Sequence, residues 1–133
     1  MILTTRLTGI TTTDDVRRWK ESLERDAANV PDGGTFKLLL DLRGYEPADV
    51  DAHKAMRVVI PLFLAGYGFR TALLDLFPGT ELRLQNLRGI TCTAFANVHH
   101  DATKMQSYEE SLARGNERYF TDVEAARVWL ERV

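Results

Sequence analysis

The chain has 133 residues, is 44% hydrophobic and 27% charged, and carries a formal net charge of −2. That length suits one domain, able to bury roughly two thirds of its unfolded surface without help from a metal or a disulfide. Lys and Arg are spread along the chain, which argues against nucleic acid, a partner that selects for a basic footprint.

Residues 2–8, rich in Thr and Leu, predict a first strand ended by Gly9. Thr12 or Thr13 can cap the helix that follows, with Asp14 and Asp15 in its first turn, where the helix dipole favours anions. Val16, Trp19, Leu23 and Ala27 recur at helical spacing and define its buried face. The helix gives out near Asn29, and Pro31-Asp32-Gly33-Gly34 is a turn. Residues 35–42 predict the central strand. Its run of Leu38, Leu39 and Leu40 implies cover on both faces, and Gly44 breaks it. Pro47 suits a helix start, so a helix is expected from about Pro47 to Ala65. Its second half is apolar almost all round, and Pro61 predicts a kink or a break there.

Gly66-Tyr67-Gly68 ends that helix, and Arg70 to Phe77 reads as a further strand closed by Pro78-Gly79. Within residues 80–90, Leu82, Leu84 and Leu87 fit a short helix or an extended loop. Thr91 to His99 predicts a strand in which Cys92, Ala94, Ala96 and Val98 alternate with Thr93, Phe95 and Asn97. Asp101 can cap a helix with Met105, Tyr108 and Leu112 as its apolar positions, stopped by Gly115-Asn116. Residues 117–120 form a short strand. Thr121-Asp-Val-Glu124 reads as a capping box for a last helix that buries Ala126, Trp129, Leu130 and Val133.

Cys92 is the sole cysteine, so no intramolecular disulfide forms, in keeping with a reducing cytoplasm. The first residues lack the basic and apolar regions of a signal peptide. The most apolar stretch, Val58 to Phe69, is shorter than the about 20 residues that span a bilayer. There is no Gly-x-Ser-x-Gly elbow, P-loop or Gly-x-Gly-x-x-Gly fingerprint, and no cofactor is expected.

The strand and helix order is that of an α/β layered protein. The stretch Ala94-Phe-Ala-Asn-Val-His-His-Asp101, continuing through Arg118-Tyr-Phe-Thr-Asp-Val-Glu-Ala-Ala-Arg-Val-Trp-Leu130, resembles the SpoIIAA-like family, relatives of the STAS domain of anti-sigma-factor antagonists. Leu38-Leu-Leu-Asp-Leu-Arg-Gly44 is similar to that family's central strand. The resemblance implies a mixed sheet with helices packed mainly on one side, and a binding or regulatory role in place of catalysis. STAS antagonists are phosphorylated on a serine at the start of the helix after the central strand. The matching segment here, Asp41 to His53, contains neither Ser nor Thr, so the phosphoswitch does not carry over. The broad fold also resembles Sec14-type (CRAL-TRIO) lipid carriers, which keeps a small apolar ligand in view.

Several clusters are candidate sites. The apolar helix half predicts a ligand groove lined by Val59, Leu62 and Phe63 and bounded by Tyr45 and Tyr67. Part of this patch is expected to meet a second subunit, because large apolar patches on monomers are rare. A protein partner would meet Arg43, Glu46, Asp49 and Asp51. The competing readings are an enzyme built on Asp41, Arg43 and His53, or a metal at His99 and His100 with Asp101 as a hard ligand. Against the metal, neighbours in an extended strand point to opposite faces. Against the enzyme, an Asp41–Arg43 ion pair is the plainer arrangement. Cys92, inside a strand, reads as a buried, inert thiol.

Overall fold

The computed structural model describes residues 1–72, 74 and 88–133. In chain order the elements are β1 (Ile2–Arg6), β2 (Gly9–Thr11), α1 (Thr13–Ala28), β3 (Thr35–Asp41), β4 (Tyr45–Pro47), α2 (Val50–Ala65), β5 (Thr91–Val98), α3 (Ala102–Leu112), β6 (Glu117–Phe120) and α4 (Val123–Arg132). The main sheet has the order β1-β3-β5-β6, with every neighbouring pair parallel. One antiparallel bridge joins Arg114 to Glu117. The strands are added in one direction across this sheet. With crossovers of one hand, the connecting helices must then share a face. α1 and α2 accordingly cover Leu38 and Leu40 together with Phe36 and Phe95, and α3 lies beside them over β6. Among the described helices only α4 lies on the other face, where Ala126 and Leu130 meet Leu39, Ala94, Ala96 and Val98.

β3 is interior, as its leucines require: Leu38 and Leu39 are fully buried, and Leu40 nearly so. On the central pair the register slips between Phe36 and Lys37, leaving Thr93 as an extra residue of β5. Such a bulge reverses the face that the following side chains take. Cys92 therefore joins Phe95 in the larger core and does not share a face with Ala94, Ala96 and Val98, as strict alternation predicts.

Four further expectations are corrected. The helix after β3 begins at Val50, not Pro47: Pro47 pairs with Thr11 in the short parallel ribbon of β2 and β4. Asp49 is the true cap, extended in backbone and accepting the Ala52 N–H at 2.8 Å. Of the kink or break expected at Pro61, the break does not occur: α2 runs on to Ala65. Packing of the surrounding apolar turns tolerates the one missing amide bond. Ala72 and Leu74 lie in a 3₁₀ turn, where a strand was expected. Thr71, fully buried, accepts the Leu74 N–H through both its carbonyl and its hydroxyl, at 3.2 Å each. Residues 73 and 75–77 of the predicted 70–77 strand, and residues 80–87 of the 80–90 segment, fall outside the described residues. Finally, α4 is capped by Asp122, whose carboxylate accepts the Glu124 N–H at 3.0 Å, and not by Thr121. A reciprocal capping box does exist at α1, between Thr12 and Asp15.

Long-range polar contacts fix the helix ends. Arg88 donates to the carbonyls of Ala27, Ala28 and Val30, at the C-terminus of α1. Lys37 donates from β3 to the carbonyls of Leu130 and Val133, both at 2.6 Å. Cations here satisfy carbonyls that the helices leave unpaired and oppose the negative dipole end.

Candidate functional site

The carboxyl ends of β3 and β5 open onto a cavity of about 300 Å³. Ligands of open α/β sheets bind beyond this end of the strands. Leu40, Leu42 and Phe95 form its floor, and Met56, Ile60 and Pro61 of α2 one wall. Lys104 and Tyr108 of α3 form the opposite wall, with His53 and Arg57 of α2 and Asn97 of β5 completing it. Two buried polar atoms of this lining, His53 Nδ1 and Asn97 Oδ1, have no hydrogen-bond partner. Asn97 is only 6% exposed. Native proteins seldom leave such groups unpaired, because each costs about 1–3 kcal/mol. Both residues line the cavity, while the two atoms themselves are closed off from solvent.

The electrostatics of the cavity are one-sided. Among the described lining residues there is no Asp or Glu, whereas Arg57 and Lys104 are both present. Burial, then the charges of Lys104 and Arg57, push the His53 pKa below its ordinary value, so this imidazole is neutral at pH 7. The Lys104 ammonium sits 5.6 Å from the centroid of the Tyr108 ring, a cation–π distance. Tyr108 in turn meets Tyr119 edge to face, with centroids 5.6 Å apart. No Ser, Thr or Cys lines the cavity among the described residues, so it offers no hydroxyl or thiol nucleophile of the usual kinds.

Val59, Leu62, Phe63 and Tyr67 come together elsewhere, in an open groove between α1 and α2 that also takes in Val16 and Lys20. The Phe63 and Tyr67 rings pack on each other at 5.1 Å and on Phe36 at 6.3 and 5.4 Å. Tyr45 does not line this groove among the described residues. It is a core residue, 6% exposed, with an unpartnered hydroxyl.

Asp41 and Arg43 do meet, but as a closed ion pair. Arg43 donates to the carboxylate from its backbone N–H at 3.1 Å and from Nε and Nη2 at 3.0 Å each, with Arg6 3.8 Å away. Burial pushes the Asp41 pKa up, but the Arg43 bonds and the Arg6 charge outweigh it and hold the carboxyl below its usual range. His53 is not hydrogen-bonded to this pair, its Nδ1 being unpartnered. Asp41→Asn is expected to cost about 1–3 kcal/mol at pH 7, the value of hydrogen bonds to a charged group. Because the folded pKa is the lower one, this stabilisation is present above the ordinary Asp range and fades as pH falls through the folded value. Urea denaturation of both proteins at neutral and acid pH should show the gap closing.

His99 and His100 do not point to opposite faces, contrary to expectation. The strand ends at Val98, and the two rings stack with centroids 4.3 Å apart. Each Nδ1 is already taken: His99 accepts the Asp101 N–H and His100 the Gly44 N–H, both at 3.0 Å. Asp101 caps α3 through the Lys104 N–H. Among the described residues, no group of three or more His, Cys, Asp or Glu is placed to hold a metal. Cys92 is buried, and its burial pushes the thiol pKa up to about 12, which leaves it inert.

The family model for SpoIIAA-like proteins matches residues 2–131. The chain belongs to the SpoIIAA-like family. Nothing among the curated proteins or the solved structures matches it. Family membership points to a regulatory module of the STAS type. Among the described residues, no helix of this SpoIIAA-like chain is long and apolar enough to cross a membrane.

Within the SpoIIAA-like frame, the helix start that bears serine in STAS antagonists is occupied by Asp49 and Asp51, both exposed. Asp49 is engaged as the cap of α2. Glu46 is exposed on β4, and Arg43 is half-buried against Asp41. Sequence reasoning found His53 but assigned it to a different cluster, and it missed Arg57, Asn97, Lys104 and Tyr108 as cavity residues. Asn97 carried a readable signal. It is an amide in a strand otherwise built from small and apolar side chains, on the face shared with Phe95.

Proposed function

We propose that this SpoIIAA-like protein is a non-catalytic binding module whose ligand is a small, largely apolar molecule held between α2, α3 and the sheet. One observation carries the reading: a cavity of mixed apolar and polar lining is bounded by His53 and Asn97, whose buried Nδ1 and Oδ1 have no hydrogen-bond partner among the described residues. Its volume of about 300 Å³ is at the lower end of small-molecule sites. The lack of Ser, Thr or Cys among the described lining residues favours binding over covalent chemistry. So does the closure of Asp41 and Arg43 on each other.

The groove containing Val59, Leu62, Phe63 and Tyr67 is the weaker ligand candidate, because none of the unpartnered buried atoms belongs to its lining. We assign that apolar groove to contact with a second copy of the chain. A protein partner would meet the exposed edge of Glu46, Asp49 and Asp51 beside Arg43.

A native mass spectrum of the protein purified from cells tests ligand and assembly together. The expected result is a dimer carrying a small non-covalent adduct. Empty protein that also leaves a fluorescent fatty acid unbound would overturn the ligand reading, and a monomer at micromolar concentration the dimer.

A further inference from the structure

We infer that the molecule held between α2, α3 and the sheet is a monocarboxylate with an apolar body, its carboxylate facing Lys104 and Arg57. The inference rests on the cavity being a ligand site, and it adds the chemistry of the ligand. Two side chains of the lining are cationic and, among the described residues, none is anionic. They come from two different helices, α2 and α3, and both line the cavity. Lys104 is half-buried and is not engaged by a carboxylate in any ion pair of the described residues.

Charge at the mouth of an apolar pocket acts through a lower effective dielectric than water, which strengthens its pull on an anion. The same positive field reaches His53 and helps to keep its imidazole neutral. A neutral imidazole can present an N–H at Nδ1 to an acceptor, and the Asn97 amide nitrogen is a second donor, whereas its Oδ1 takes no bond from a carboxylate. A carboxylate has two acceptor oxygens, enough to take one charge-assisted bond and one neutral bond. Met56, Ile60 and Phe95 supply only apolar surface, which suits an alkyl or aryl body. A multiply charged head would lose more hydration on entry than two cations at one rim return.

The test uses the whole chain at pH 7, titrated in parallel with octanoate and with octan-1-ol, and followed by amide chemical shifts. Octanoate is expected to shift Met56, Ile60 and Asn97 and to bind at least about tenfold more tightly than the alcohol. That ratio is what one retained charge-assisted hydrogen bond gives. Lys104→Met should weaken octanoate about tenfold and leave the alcohol unchanged, with Arg57→Met as a second variant at an exposed position. If the alcohol binds at these amides as tightly as octanoate and neither variant matters, the carboxylate inference is wrong and the cavity reading stands. If neither probe shifts these amides, both are wrong.

Discussion

Glu117→Leu is expected to destabilise the fold by about 3–5 kcal/mol, a shift in Tm of roughly 10 °C or more for a chain of this size. Glu117 is fully buried at the start of edge strand β6. Its Oε1 accepts the Ala72 N–H at 3.0 Å, and its Oε2 accepts the Tyr119 hydroxyl at 2.6 Å. Burial, and then the bond to this carboxylate, push the Tyr119 pKa far up, so the phenol remains a donor at any ordinary pH. Leucine fills similar space but strands both donors in the interior, and unpaired buried donors cost about 1–3 kcal/mol each. The carboxylate also ties β6 to the turn at Thr71–Leu74 across 45 residues of sequence, so the loss is not confined to one strand. Glu117→Gln keeps an acceptor and should cost markedly less. Urea denaturation of the two variants checks the ordering; equal losses would show that the carboxylate's hydrogen bonds are not what matters.

Acidification should weaken the protein through His99 over the window from about pH 6.5 to about pH 4. Burial first, then the charges of Lys104 and His100, lower the His99 pKa to about 4, against the small opposing effect of Asp101. The unfolded chain titrates near 6.5. Between these values the unfolded state binds more protons than the folded one, so stability rises with pH and is lost as pH falls. A depression of that size corresponds to about 3 kcal/mol at the acid end. The structural cause is local. His99 Nδ1 accepts the Asp101 N–H at 3.0 Å, and protonation converts that acceptor into a donor aimed at another donor. Asp101 is the cap of α3, so the strain falls on the helix that carries Lys104. His99→Asn places an amide oxygen near the Nδ1 position and does not titrate. Stability measured by denaturant at several pH values should show a flatter acid limb in this variant. An unchanged limb would assign the effect to other groups, His53 being next because its pKa is lowered by the same surroundings.

Much of the architecture was legible because apolar periodicity reports burial directly. Val16, Trp19, Leu23 and Ala27 are all buried on α1, as their spacing requires, and the leucines of β3 are interior. Boundaries were less legible where two local signals compete. Pro47 is compatible with both a helix start and an extended edge, and pairing with Thr11 decided in favour of the ribbon. Thr121 and Asp122 both have capping side chains, and only the backbone path selects the aspartate. The bulge at Thr93 was invisible, since a register slip depends on the partner strand.

The candidate site was harder to read for a related reason. His53, Asn97 and Lys104 are separated by dozens of residues, and only the parallel crossover topology gathers them at one end of the sheet. Asp41 and Arg43, close in sequence, drew attention that their mutual ion pair does not justify. Asn97 is the instructive case. A lone amide in a buried strand must find a partner or a ligand, and that demand is visible before any coordinates are known.

The placement of α4, alone among the described helices, on the far side of the sheet separates two properties of the molecule. That side is floored by Ala94 and Ala96, whose short side chains bring the helix close, and it contributes no residue to the compartment at the other face. Adjusting how tightly the protein is closed at the back therefore leaves the chemistry of the front unaltered. Such a chain can gain or lose robustness without altering what it recognises.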